Sequence, residues 1–248
     1  METYYDAVPR SAARVEAVGP FTLFVGTGAW PYYARPRLDE EHEFTAADVE
    51  AVRARQRELG LPETFEWVHE TTPSLKGVMD AEILEAPLMV LDQAAWRPPE
   101  LSATIRILGP DDDLATARAV QDVSFSHGGT AAGPEGIAER DAAERPDTTF
   151  LRERIANGLS VLAVAELAGE PVAAGMHQPV GTTTEIVGVA TLPAVRRQGL
   201  GGAVTGALVE HALANGVETV FLSAGSEDIA RVYARLGFGR IGTACIVG

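Results

Sequence analysis

The chain has 248 residues, of which 46% are hydrophobic and 22% charged, and a formal net charge of −15. So acidic a chain argues against nucleic acid as a partner and admits a cationic acceptor such as an amine. Its single cysteine, Cys245, excludes an intramolecular disulfide and a zinc cluster built from thiolates, and no apolar run approaches the roughly 20 residues that cross a bilayer. The first residues lack a basic segment followed by an apolar one, so a cytoplasmic protein with no membrane or metal partner is expected. The length allows one large domain or two ordinary ones.

In chain order, Phe21–Gly26 (FTLFVG) reads as a strand. Thr45 as N-cap with Asp48 three residues on predicts a helix that closes at Gly60. Residues 64–70 form a strand or a short amphipathic piece, 74–85 a second helix, and Pro87–Leu91 an apolar strand. The proline pair within AAWRPPELS (94–102) resists both helix and central strand, which divides the chain into residues 1–95 and 100–248. The first part carries no motif for chemistry, and His42, Trp67 and His69 read as packing or surface residues.

The second part has a clearer rhythm. A strand at 103–108 precedes an amphipathic helix at Asp112–Ser126, a small-residue loop at His127–Gly136 and helical segments at 137–145 and 148–158. Three β-branched or small stretches follow at 160–167, 171–180 and 185–191, joined by Gly-containing turns that make them antiparallel neighbours. Next come a loop turning into a helix that ends at Asn215-Gly216, a strand, a helix at 226–238 and a last strand. A strand–helix–strand–helix–strand run after an antiparallel meander is a mixed α/β sheet.

The strongest local signal is Arg196-Arg197-Gln198-Gly199-Leu200-Gly201-Gly202, between a predicted strand and a predicted helix. Glycines let backbone approach a ligand, a helix N-terminus offers unpaired N–H groups with partial positive charge, and arginine adds a guanidinium, all suited to a pyrophosphate. Taken alone, such a turn is also compatible with a purely structural role. A P-loop is excluded because Ala203-Val204 follow Gly202, and Gly199, Gly201 and Gly206 do not keep the dinucleotide spacing.

Here the sequence resembles the GCN5-related N-acetyltransferase (GNAT) family, over about residues 103–248. That family's R/Q-x-x-G-x-G/A loop is met by Arg196-x-x-Gly199-x-Gly201; Val189–Pro193 looks like its fourth strand entering that loop, and Tyr233-x-x-Leu236-Gly237-Phe238 resembles its Y-x-x-L-G-F helix end. The resemblance implies the GNAT fold, a mostly antiparallel mixed sheet with splayed central strands flanked by helices, beside an N-terminal α/β subdomain. It implies acetyl-CoA as cosubstrate. Backbone groups of Val189 and Thr191 would meet the pantetheine, with the small Ala190 between them, and Arg196, Arg197, Gln198, Gly199, Leu200, Gly201 and Gly202 would form the phosphate loop. The family's usual Asn seven residues before the tyrosine is Ser226 here, which puts that CoA contact in doubt.

The implied activity is acetyl transfer to a primary amine, small-molecule or peptide, by direct attack through a tetrahedral intermediate. Tyr233 is the candidate acid, the alternative being a core tyrosine. Glu185 is the candidate base, resembling the strand glutamate of the histone acetyltransferase branch, the alternative being a solvated strand end; burial would raise its pKa toward a useful range. His177 is a second group able to handle protons. The N-terminal part reads as a degenerate half or whole copy of the same fold; lacking the loop, it should hold no second CoA site. An acyl-CoA-binding sensor without catalysis is the competing reading, and a homodimer is left open.

Overall fold

A computed structural model describes residues 1–28, 32–38, 42–99 and 103–248; the end of the proline-rich division, residues 100–102, lies outside them. The chain forms two units, Met1–Leu88 with Ile241–Gly248, and Met89–Arg240. The fold thus passes between units at Leu88–Met89, beside the division placed from sequence at 95–100, and its last residues belong to the first unit.

The first unit contains α1 (Glu2–Arg10), β1 (Ala13–Val18), β2 (Phe21–Gly26), β3 (Ala34–Pro36), α2 (Ala46–Glu58), β4 (Phe65–Val68), α3 (Pro73–Val78) and the start of β5 (Leu84–Leu91). β1–β2 and β2–β3 pair antiparallel, whereas β3 and β4, joined through α2, pair parallel. α2 starts where predicted: the Thr45 hydroxyl accepts the Asp48 N–H at 3.3 Å and the Asp48 carboxylate accepts the Thr45 N–H at 2.9 Å. Val49, Val52 and Gln56, at helical spacing, are its buried residues. The two valines join a core with Phe21, Phe44, Phe65 and Trp67, and buried Gln56 donates to the Thr64 carbonyl at 3.0 Å.

The helix expected over 74–85 stops at Val78 and is followed by β5. Gly77 weakens so short a helix, and Pro87 cannot sit inside one and holds Ala86 extended. α1, β1 and β3 had no counterpart in the sequence analysis. α1 carries an internal Pro9 and no side-chain cap, and β3 is three residues ending in proline, so α1 lacks a start signal and β3 is too short to show alternation.

The second unit holds β6 (Thr104–Leu108), α4 (Leu114–Ser126), α5 (Ile137–Ala142), α6 (Thr149–Ala156), β7 (Val161–Leu167), β8 (Glu170–Val180), β9 (Thr183–Thr191), α7 (Leu200–Ala214), β10 (Thr219–Ser223) and α8 (Glu227–Ala234). Its ladder runs β10-β9-β8-β7-β6, antiparallel except for the parallel β9–β10 pair. This is the mixed, mostly antiparallel sheet flanked by helices that the sequence predicts. α7 packs close on β8 because Gly175 has no side chain: a Cβ there would lie 2.9 Å from Val204 Cγ1. The final strand, β11 (Phe238–Val247), returns to the first unit, where Ala244–Val247 pair antiparallel with β4.

Two irregularities in β9 shape its free end. Met176 faces Val187 but Ala174 faces Ala190, so an extra residue bulges out at Gly188–Val189, and Gly188 takes φ 63°. β10 pairs with β9 only at Thr183–Glu185, whereas β9 runs on to Thr191. Beyond Glu185 the two parallel strands therefore lack a ladder and stand apart, as the predicted splay requires.

Among the described residues no helix is long and apolar enough to cross a membrane.

Candidate active site

The free end of β9 leads through Leu192 and a 3₁₀ turn (Pro193–Val195) into the Arg196–Gly202 segment. Gly199, at φ 81°, is the N-cap of α7 and supplies no side-chain cap. The Ala203 N–H closes on the Gly199 carbonyl at 2.9 Å. The amides of Leu200, Gly201 and Gly202 precede it, and the first-turn N–H groups of a helix have no acceptor within that helix. They point out of the positive end of the helix dipole. Arg197 stands exposed beside them in a left-handed conformation, φ 66°, and its side chain makes no hydrogen bond or ion pair among the described residues.

This turn forms one wall of a cavity of about 730 Å³ within the second unit. Val189–Thr191 of β9 and residues from Asp228 to Tyr233 of α8, with Arg235 just after it, form further walls, and Ser124, Phe125 and Gly128–Thr130 close the remaining side. Of the residues singled out in sequence, Val189, Ala190, Thr191, Arg196, Arg197, Gly199, Leu200, Gly201, Gly202 and Tyr233 therefore meet around one space.

Tyr233 reaches it from α8 and is buried, its ring 6.0 Å from Phe238. Burial pushes its hydroxyl up to about 12, offset in part by a hydrogen bond with Thr205. The phenol is thus neutral across the physiological range and keeps its proton available to donate.

The other predicted residues stand elsewhere. Gln198 is exposed and does not line the cavity. Ser226 is the N-cap of α8, its hydroxyl accepting the Ile229 N–H at 3.3 Å, and it too is outside the lining. Glu185 is half-buried on β9, opposite Gln178 of β8 and Phe221 of β10, and accepts the Ser223 hydroxyl at 3.4 Å. It does not line the cavity and lies four residue steps along the strand from Val189, about 13 Å at the usual rise. His177 is fully buried, its Nδ1 2.9 Å from Thr184 Oγ1 and its Nε2 3.1 Å from His211 Nδ1. Burial and the neighbouring His211 hold it down at about 4, so it is a neutral core residue away from the cavity.

Sequence patterns did not point to Gln121 of α4, which is completely buried. Its Nε2 donates to the Gly188 carbonyl at 2.7 Å and its Oε1 accepts from Arg118 at 3.0 Å, so α4 pins the β9 bulge. The glycine inside the otherwise β-branched E-I-V-G-V-A-T run was the available signal for that bulge.

Residues 132–238 match the model of the Acetyltransferase (GNAT) family. Solved structures are similar over most of the chain. A GCN5-related N-acetyltransferase from Kribbella flavida superposes with a TM-score of 0.73 at 21% identity, covering 99% of this chain and 94% of that one. The chain has the GNAT fold. A GCN5-related N-acetyltransferase from Sphaerobacter thermophilus gives 0.54 at 21% identity over 81% of this chain and 64% of that one. A tandem GNAT protein from the clavulanic acid biosynthesis pathway gives 0.56 at 13% identity, over 91% and 77%. No curated protein sequence matches the chain.

Proposed function

We propose that this GNAT-fold protein is an N-acetyltransferase that uses acetyl-CoA to acetylate a primary amine on a small molecule or peptide. The observation that carries the proposal is the uncapped entrance of α7, where the amides of Leu200, Gly201 and Gly202 and the free Arg197 guanidinium face the same cavity as Tyr233. These residues fit a diphosphate, since N–H donors, absent side chains and a cation converge there. Beyond Glu185 the edge of β9 that β10 leaves unpaired offers backbone groups to the amides of a pantetheine arm. Bound acetyl-CoA would supply the acyl group as an activated thioester.

The chain's own part is to hold and to move protons. In this reading an N–H at the bulge end of β9 polarises the thioester carbonyl and steadies the oxyanion. The neutral Tyr233 hydroxyl supplies the proton that a departing thiolate needs. Glu185 accepts the amine's proton in this reading, through intervening solvent given its distance along the strand.

One observation favours a second reading, an acyl-CoA-binding module without turnover: Glu185 does not line the cavity, and the only carboxylate among the described residues that does, Asp228, is ion-paired with Arg231. Release of free thiol from acetyl-CoA in the presence of an amine panel separates the two. Turnover on any amine supports the enzyme. Tight CoA binding with no turnover on all of them supports the module.

The tandem GNAT relative is similar over both units of this chain, which supports reading the first unit as a degenerate copy of the fold that does not itself bind CoA.

A further inference from the structure

The two adjacent arginines of the phosphate turn are engaged in different ways. Arg197 is exposed and unpartnered among the described residues. Arg196 lines the same cavity, but its guanidinium is already held: Nε donates to the Thr191 carbonyl at 3.1 Å, Nη1 to the Ala131 carbonyl at 3.0 Å and Nη2 to the Ser124 carbonyl at 2.8 Å. Those acceptors belong to three segments: the end of β9, the loop after α4, and the last turn of α4 itself.

The chemistry of each acceptor explains why a cation is needed. Carbonyls in the last turn of a helix lack intrahelical partners and sit at the negative end of its dipole. α4 has no basic residue of its own in that turn, so Arg196 supplies the missing charge from 72 positions away. The planar guanidinium reaches three carbonyls at once, which a lysine ammonium on a flexible stem does not reproduce. Around this strut the loop is zipped to the turn by backbone: the Gly133 N–H donates to the Pro193 carbonyl at 3.2 Å and the Ala194 N–H to the Glu135 carbonyl at 2.9 Å.

We propose that Arg196 is a positioning residue that locks the segment Ser124–Glu135, part of which closes one side of the cavity, onto the phosphate turn, and that Arg197 alone of the pair meets the phosphate charge. The inference rests on the acetyl-CoA reading for its consequence, and on the three carbonyl contacts for its geometry. Fixing Gly128–Thr130 against the turn keeps this wall of the cavity, which an acceptor reaching the acyl group would pass, at a constant distance from the Val189–Thr191 edge.

The test compares Arg196→Ala, Arg196→Lys and Arg197→Ala in the full chain, with CoA titration, acceptor kinetics and amide exchange read on each. For Arg196→Ala we expect faster exchange at Gly133 and Ala194, an acceptor KM raised about tenfold or a matching fall in kcat, and a CoA Kd within about threefold of the original. Methylguanidine added to that variant should restore part of the protection, and Arg196→Lys should fall between. For Arg197→Ala we expect about tenfold weaker CoA binding, steeper at low salt, with exchange unchanged. Should Arg196→Ala not fold, Arg196→Lys is read by the same criteria. Unchanged exchange together with CoA affinity lost as in Arg197→Ala would overturn the proposal. An original chain that binds no CoA would instead sink the acetyl-CoA reading, while the exchange result would still decide whether Arg196 is the strut.

Discussion

The two units contain the same kind of segment, a parallel strand–helix–strand, as β3–α2–β4 in the first and β9–α7–β10 in the second. They differ at the helix entrance. α2 is closed by its own sequence, since the Thr45 hydroxyl accepts the first-turn Asp48 N–H while the Asp48 carboxylate takes the Thr45 N–H and places a negative charge at the dipole's positive end. α7 is open, entered through Gly199 with no side-chain cap, and flanked by an arginine with no partner among the described residues. Two helix entrances in comparable settings thus differ in whether an anion could use them, and the difference lies in a few side chains rather than in topology.

The sharpest way to break this contrast is to give α7 the kind of cap α2 has. In Gly199→Asp the new Cβ meets nothing within 4 Å, and Asp is among the residues that tolerate positive φ. Its carboxylate would satisfy the open amides and repel phosphate. Losing three charge-assisted hydrogen bonds at about 1.5–3 kcal/mol each predicts CoA binding weaker by about 10³-fold or more, against a stability loss of about 1 kcal/mol from the left-handed backbone. Calorimetry with a parallel thermal melt checks both.

Next in size is the chemistry at the open end. Tyr233→Phe should lower kcat by about 100-fold or more while leaving CoA affinity as it was. Because the phenol is held up at about 12, the remaining pH profile below about 9 should owe nothing to its ionisation. An unchanged kcat in the variant would return Tyr233 to a packing role.

Stability against pH separates the units in sign. His177 in the second unit is depressed from 6.5 to about 4, so the unfolded chain takes up the proton first as pH falls. Its contribution is full above about 6.5 and is lost by about 4, a decline of roughly 2–3 kcal/mol that His177→Gln should flatten. Glu66 in the first unit is pushed the other way by burial, up to about 7 against the pull of Arg35. Its contribution is full below about 4.5 and is lost as pH rises through about 7, and Glu66→Gln should remove that slope. Denaturant titrations across pH 4 to 8 on the original chain and both variants read these slopes.

The smallest effect tests the closed helix. Thr45→Ala should cost about 1 kcal/mol of stability and leave CoA affinity unchanged. A change in CoA binding there would mean that the first unit takes part in holding the cofactor.

How much of the molecule is legible in its sequence depends on where the signals lie. Capping residues and alternation are local, so α2, α4 and the β7–β8–β9 meander stand within a few residues of their predicted bounds. The phosphate turn is legible because glycines at fixed spacing are a backbone requirement written directly in residue type. The pairing of Gln121 with the Gly188 carbonyl and the hold of Arg196 on α4 span 67 and 72 positions, and no local pattern encodes a partner so far away. Ser226 looks like a ligand contact by its place before Tyr233, yet a serine preceding Glu227-Asp228 also has the makings of a helix cap, and that is where its hydroxyl is engaged.

The most direct measurement is a calorimetric titration of the folded chain with CoA at two salt concentrations. One saturable site per chain, weaker at the higher salt, is the result expected of an open α7 and a closed α2. Two sites, or no heat from protein shown by circular dichroism to be folded, would contradict it.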